Sequence, residues 1–255
     1  MIRITYVTIT YNAAKVLQRT LDSVLSQDYP HILHLIIDGA STDDTLLLVD
    51  DYIVRSNAAK NGHLVQVTSE PDEGIYDAMN KGLRSITGDY VCFLNAGDFL
   101  PSSDTVTRIV EKVRSALPAV LYGDTDIVDG EGRFLHHRRL APPEQLSWKS
   151  FRQGMLVCHQ AFYARADFAI ATPYDLRYRY SADVDWCIRV MKAAAKENVP
   201  LFNLKMVVAC YTQEGQTTLH HRESLLERYH VMEHHYGRLQ TFFLHCWFAL
   251  RSLLK

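Results

Sequence analysis

Short apolar, β-branched runs alternate with amphipathic helical stretches through the first hundred residues. That alternation constrains the fold more than any other feature. Residues 2–12 read IRITYVTITYN, a buried-strand composition. Val16, Leu17, Thr20, Leu21, Val24 and Leu25 then fall on one helical face, and Pro30 stops that helix. Leu33 to Ile37 and Tyr90 to Leu94 read as further buried strands, and Val65 to Ser69 as another strand. A short helix carrying Asp77, Asn80 and Lys81 is expected before the last of these, ending at Gly82. Strand and helix at this spacing predict an α/β fold with a mostly parallel, doubly wound sheet.

The polar residues cluster where these strands end. Tyr11-Asn12 follows the first strand, and Asp38-Gly39-Ala40-Ser41-Thr42-Asp43-Asp44-Thr45 follows the second. Ser41 or Thr42 is expected to cap the next helix, with Asp43 and Asp44 in its first turn. Asn95-Ala96-Gly97-Asp98 follows the strand at 90–94. In an open α/β sheet, ligands bind just beyond the carboxyl ends of strands.

Five segments in colinear order resemble the inverting glycosyltransferases of family 2, which have the nucleotide-binding fold called GT-A. They are Thr10-Tyr11-Asn12, the 38–45 segment, Asp72-Glu73-Gly74, Ala78-Met79-Asn80-Lys81-Gly82 and the run from Gly88 to Asp98. The wording around Gly74 and Asn95 resembles the branch found in bacterial surface-polysaccharide clusters. The resemblance implies transfer of a sugar from a nucleotide-diphosphate sugar to a hydroxyl of a glycan or lipid-linked glycan. It assigns Asp38 to the base or ribose, with Thr10 and Tyr11 lining the base pocket. Asp72, Asp77, Asn80, Lys81 and Asn95 would border the donor. The residue-level alternatives are a turn cap for Asp38, a backbone brace for Asn80 and a solvated helix-end cation for Lys81.

The family's Asp-x-Asp motif holds a divalent cation, Mn or Mg, on the donor pyrophosphate. Here the register places Gly97 at the usual metal-binding Asp and leaves Asp98 as the carboxylate in reach, so Asp98 is the expected ligand. A literal Asp-x-Asp occurs at Asp124-Thr125-Asp126, after a run read as a strand end. Asp124 is expected near the acceptor opening or in a turn. Asp129-Gly130-Glu131-Gly132 predicts a hairpin returning to Phe134.

Ser181 reads as the N-cap of a helix running through Lys196. The family carries a Glu-Asp pair here whose Asp is the catalytic base. Asp183 matches it, Ala182 replaces the Glu, and Asp185 is the rival. A base in this place takes the acceptor proton while the hydroxyl attacks from the face opposite the nucleotide. His159-Gln160 resembles part of an acceptor wall, or a core histidine bonded to backbone. Gly215-Gln216-Thr217-Thr218 resembles a loop that closes over the donor. His230 and His234, at i,i+4, are read as a solvated helix surface rather than a chelate.

With a net charge of −2, the 255 residues carry no basic stripe for nucleic acid. The five cysteines form no C-x-x-C pair, so a reduced, cytoplasmic setting is expected. Residues 1–215 are expected as one domain, with a donor half at 1–100 and an acceptor half at 101–215. Residues 216–255 are expected as a C-terminal loop and helical extension. From Leu239 onward the tail suits an amphipathic helix on an anionic membrane surface, at the inner face of the cell membrane, or a packing helix. Two other functions fit the fold: a nucleotide-sugar-binding protein without transferase activity, and a sugar nucleotidyltransferase.

Overall fold

The computed structural model describes residues 1–113, 117–213 and 221–253. Strand β1 (Ile4–Thr10) pairs in parallel with β2 (Ile32–Asp38) and with β4 (Tyr90–Phe93), and β2 pairs in parallel with β3 (Leu64–Ser69). Every residue of β1, β2 and β4 is buried, as a sheet covered by helices on both faces requires. The covering helices are α1 (Ala14–Leu25), α2 (Thr45–Ala59) and α3 (Ile75–Arg84), with α4 (Thr105–Val113) further on. Helix α3 continues past Gly82, where a side chain would collide with Val7, so this glycine serves close packing on β1 and not termination.

The second half of the sheet is mixed. β5 (Val120–Val128) pairs in parallel with β8 (Leu201–Thr212) and antiparallel with β6 (Phe134–His137) and β7 (Phe162–Arg165). β7 joins the halves by pairing with β4. The whole sheet runs β3-β2-β1-β4-β7-β5-β6, with β8 also on β5. The expected 129–132 hairpin is present, with the Asp129 and Arg133 backbones bonded across it. The expected strand end at Gly123 is not: Asp124 to Asp126 lie inside β5.

α5 (Ala166–Ile170) and α6 (Ala182–Lys196) pack behind an aromatic cluster. Tyr174 stacks on Trp186 at 5.0 Å, and Phe93 meets Trp186 edge-on at 5.7 Å. α7 (His221–Tyr236) buries Val231 and Met232 in this core. α8 (Arg238–Leu253) buries Thr241 and packs Leu244 and Phe248 on the domain. It leaves Leu239, Phe242, Phe243 and Trp247 exposed by 76, 55, 67 and 56%. Among the described residues no helix is long and apolar enough to cross a membrane.

Candidate active site

Strand register builds the first part of the site. Thr10 pairs with Asp38, and Asp38 with Ser69, so three side chains at three strand ends share one level. The Asp38 carboxylate accepts from Thr10 Oγ1 at 2.9 Å, Ser69 Oγ at 2.7 Å, and Ser41 through both N–H at 2.9 Å and Oγ at 2.5 Å. Burial opposes its charge, but the donors from Ser41, Ser69 and Thr10 hold its pKa below the usual carboxylate range. All four acceptor positions are occupied and the residue is fully buried. Asp38 therefore clamps the strand ends. The same geometry explains why Ser41 does not cap α2: Asp38 holds its hydroxyl. The α2 N-cap is Asp44 without a side-chain bond, while Asn12 Oδ1 receives Thr42 N–H.

Above this clamp the wall carries Tyr11, which is 67% exposed, and Asp72. Gly39 has no room for a side chain, because a Cβ there would strike the Asp72 carboxylate. Asp72 Oδ1 accepts from Gly74 N–H at 2.8 Å, which shapes the turn into α3. Lys81 reaches back to Pro71 O at 2.6 Å and Glu70 at 3.0 Å, and so braces this loop. Asp77 receives Glu73 N–H. Asn80 is buried and makes a two-bond clasp on the Tyr174 backbone, donating to its carbonyl at 3.0 Å and accepting its N–H at 2.7 Å. It braces segments 94 residues apart, where the residue-level alternative was a local backbone brace.

Tyr76 carries the link to the second half. It stacks on Tyr174, and its hydroxyl donates to Asp183 Oδ1 at 3.2 Å. Burial, with the Asp183 charge beside it, keeps that phenol protonated. Asp183 sits in the first turn of α6, where unpaired amides favour an anion. Asp185 is committed elsewhere. It is 2% exposed, bonded to Arg189 at 2.6 Å and to His235 Nε2 at 2.8 Å. Burial disfavours its charge, but His235 and Arg189 outweigh that and lower its pKa. Ser181 precedes α6 without capping it; its hydroxyl donates to Ser224 O. Glu227 of α7 instead gathers the N–H groups of Arg179, Tyr180 and Ser181 at 2.6, 2.5 and 2.6 Å.

The exit of β4 differs from expectation. Asp98 is 4% exposed, and its oxygens accept from Gln160 Nε2 at 2.6 Å and Thr212 N–H at 2.9 Å. Burial raises its pKa to about 7. Asp98 ties β4 to the end of β8 and is not presented as a metal ligand. Gly97, at the place of the family's second Asp, has φ +98°, a region that favours glycine. Asn95 Oδ1 is buried without a partner, yet one neutral amide oxygen does not hold a divalent cation. No three His, Cys, Asp or Glu side chains converge as ligands among the described residues. These residues do not fit a carboxylate-held Mn or Mg ion.

Gln160 is thus the partner of Asp98. His159 is a core histidine: it bonds the Tyr174 hydroxyl at 2.7 Å and stacks on Phe93, and burial lowers its pKa to about 4. Its partner is a side chain, not the backbone expected. His234 is exposed, and His230 pairs with Glu233. The 215–218 segment lies outside the described residues. Asp124 lines a cavity of about 280 Å³ together with residues of the 137–142 segment. Sequence reasoning passed over Tyr76, Ser69, Tyr174 and Glu227. Tyr76 lies between the 72–74 and 78–82 segments, one residue before Asp77.

Residues 5–170 match the family described as Glycosyl transferase family 2. A PGL/p-HBAD biosynthesis glycosyltransferase of Mycobacterium bovis is 33% identical over 81% of this chain and 75% of its own length. The amylovoran biosynthesis glycosyltransferase AmsB of Erwinia amylovora is 27% identical over 77% of this chain and 67% of its own. Among solved structures, S. aureus TarS 1-349 in complex with UDP-GlcNAc superposes with a TM-score of 0.70 at 17% identity, covering 91% of this chain and 64% of that one. The mannosyltransferase PcManGT of Pyrobaculum calidifontis, in complex with GDP-Man and Mn2+, gives 0.62 at 17% identity, over 89% and 63%. The chain thus spans less than two thirds of these solved chains.

Proposed function

The chain belongs to glycosyl transferase family 2, and we propose that it moves a sugar from a nucleotide-diphosphate sugar to a hydroxyl of a glycan or lipid-linked glycan, with inversion, using Asp183 as the base. The observation that carries this is the Tyr76–Asp183 hydrogen bond. It sets the one uncommitted carboxylate of the α6 first turn against the helix that follows the Asp72 loop. Donor contacts are assigned to Tyr11, Asp72 and Asp77, with the Thr10 and Asn95 backbones at the strand ends. Asp38, Asn80, Lys81, Asp98 and Gln160 hold that frame in shape. Relatives named for PGL/p-HBAD biosynthesis and amylovoran biosynthesis support this reading.

The acceptor hydroxyl loses its proton to Asp183 as its oxygen attacks the anomeric carbon. The bond to the nucleotide diphosphate breaks on the opposite face, so the configuration inverts and no covalent enzyme intermediate forms. The exposed aromatic face of α8 suits a lipid interface, which supports a peripheral position where lipid-linked acceptors reside. The test is a panel of UDP- and GDP-sugars screened by thermal shift, followed by product stereochemistry from NMR. Binding of no member, or a product with retained configuration, rejects the proposal.

A further inference from the structure

We propose that the cavity lined by Asp124 is the subsite for a neutral pyranose ring of the acceptor, with Asp124 orienting its hydroxyls; this rests on the transferase reading above. The cavity measures about 280 Å³. Binding pockets for larger ligands run from about 300 to 1,000 Å³, so this one suits a single sugar ring. Leu140, Pro142, Leu156 and Val207 give it an apolar wall, and Asp124 gives it a carboxylate. A pyranose has the matching halves, a C–H face and a rim of hydroxyls.

Asp124 is unlike the other carboxylates nearby. Asp126 is bonded to His137 at 2.7 Å, and Asp129 to Arg133 at 2.7 Å. Asp98 is taken by Gln160 and Thr212. Asp124 has no hydrogen bond from any described residue, and burial, with Asp126 close by, raises its pKa. The local backbone explains its placement. Gly123 lets β8 approach so closely that a Cβ there would strike Met206 O, and the β5–β8 register shifts on both sides of Asp124. Such irregularities re-aim side chains beside active sites.

The arrangement of the cavity's polar groups suits neutral sugars. Arg138 spends its guanidinium on the carbonyls of Leu140 at 2.7 Å, Met155 at 2.6 Å and Leu156 at 3.3 Å. His137 is paired with Asp126. The Arg138 guanidinium keeps its charge but turns these donors onto backbone carbonyls, and Asp124 is the carboxylate that an acidic sugar would meet. The location also suits an acceptor. Cys158 on the cavity wall donates to Gln160, the partner of Asp98, and its thiol feels the charges of both Asp98 and Asp183.

Saturation-transfer NMR on the full chain tests this, with methyl glycosides of glucose, galactose, mannose, rhamnose and N-acetylglucosamine, and methyl glucuronide as the acidic control. At least one neutral glycoside should bind and the glucuronide should not. Asp124→Ala should weaken that binding at least tenfold. Ala141→Trp, at an exposed rim position that tolerates bulk, should block it. UDP or GDP binding by thermal shift should be unchanged in both variants. Binding of no neutral glycoside, equal binding of the glucuronide, or binding that survives both substitutions overturns the proposal. A wild-type protein that binds a glycoside but no nucleotide defeats the transferase reading and leaves the cavity assignment standing.

Discussion

Replacing Asp183 and Asp185 by asparagine, one at a time, separates chemistry from stability within one helical turn. Asp185 is 2% exposed between His235 and Arg189, whose side chains are 3% and 27% exposed. Removing one partner of a buried charge pair costs about 3–5 kcal/mol. The partial exposure of Arg189 and the hydrogen bonds an asparagine can still make reduce this to roughly 2–4 kcal/mol. For a chain of this size each kcal/mol moves Tm by about 2–4 °C, so Asp185→Asn should melt roughly 5–15 °C lower. Asp183 meets only the Tyr76 hydroxyl and its own helix turn. Asp183→Asn should cost less than about 1 kcal/mol of stability. Its transfer rate should fall about 10²–10⁴-fold, or about 3–5.5 kcal/mol of barrier, with nucleotide affinity retained. Calorimetric melting and a transfer assay on the same preparations give both numbers. Asp183→Asn turnover within tenfold of wild type would falsify the assignment of the base. So would an inactive Asp185→Asn with an unchanged Tm.

Three other outcomes follow from the same geometry. The pKa of Asp98 is raised to about 7, so the unfolded chain releases this proton first. Wild type should lose stability relative to Asp98→Asn as pH climbs from about 4 to about 7, and the difference should be level above that, as read by urea unfolding at pH 5 and 8. Any stimulation by manganese should survive in that variant, since Asp98 is not presented as a ligand. Asp38→Ala leaves the hydroxyls of Thr10, Ser41 and Ser69 without their shared acceptor; it should destabilise by about 1–3 kcal/mol and weaken nucleotide binding, measured together by denaturation and calorimetric titration. Phe243 and Trp247 are over half exposed on α8, and each apolar side chain buried in lipid contributes on the order of 1.5–3 kcal/mol. Changing both to serine should release the protein from anionic liposomes in flotation without lowering its Tm; unchanged flotation removes the membrane role.

The parallel half of the sheet was readable because its strands are buried on both faces, which forces continuous apolar runs such as those in β1 and β2. Charged and amide residues at their ends marked the site for the same reason: β1 and β2 carry no Asp, Glu, Asn, Gln, Lys or Arg before their last residue. Roles were harder to read than places. Asp38 looked free because its partners come from three segments, and only register brings Ser69 to it. Asp98 looked like a ligand because Gln160 and Thr212 lie 62 and 114 residues away. Asp183 and Asp185 were ranked by resemblance. What separates them physically is His235, fifty residues on, in a helix with no visible reason to be part of the core.

That helix bears on how the proposed base, Asp183, is placed. α7 touches α6 at both ends of its chemistry: Glu227 gathers the amides that precede it, and His235 holds Asp185 two residues beyond the base. Trp186, next along α6, stacks on Tyr174, whose backbone Asn80 clasps and whose ring Tyr76 covers. Asp183 is therefore fixed from behind by α7 and from the side by the donor-side helix α3. Neither contact uses its second carboxylate oxygen, and among the described residues the Tyr76 phenol is the only side chain bonded to the first. A base must be held still and left unsatisfied. The chain achieves the first with buried charges and aromatic stacking around Asp183, and the second by giving Asp185, and not Asp183, the partners that would neutralise it.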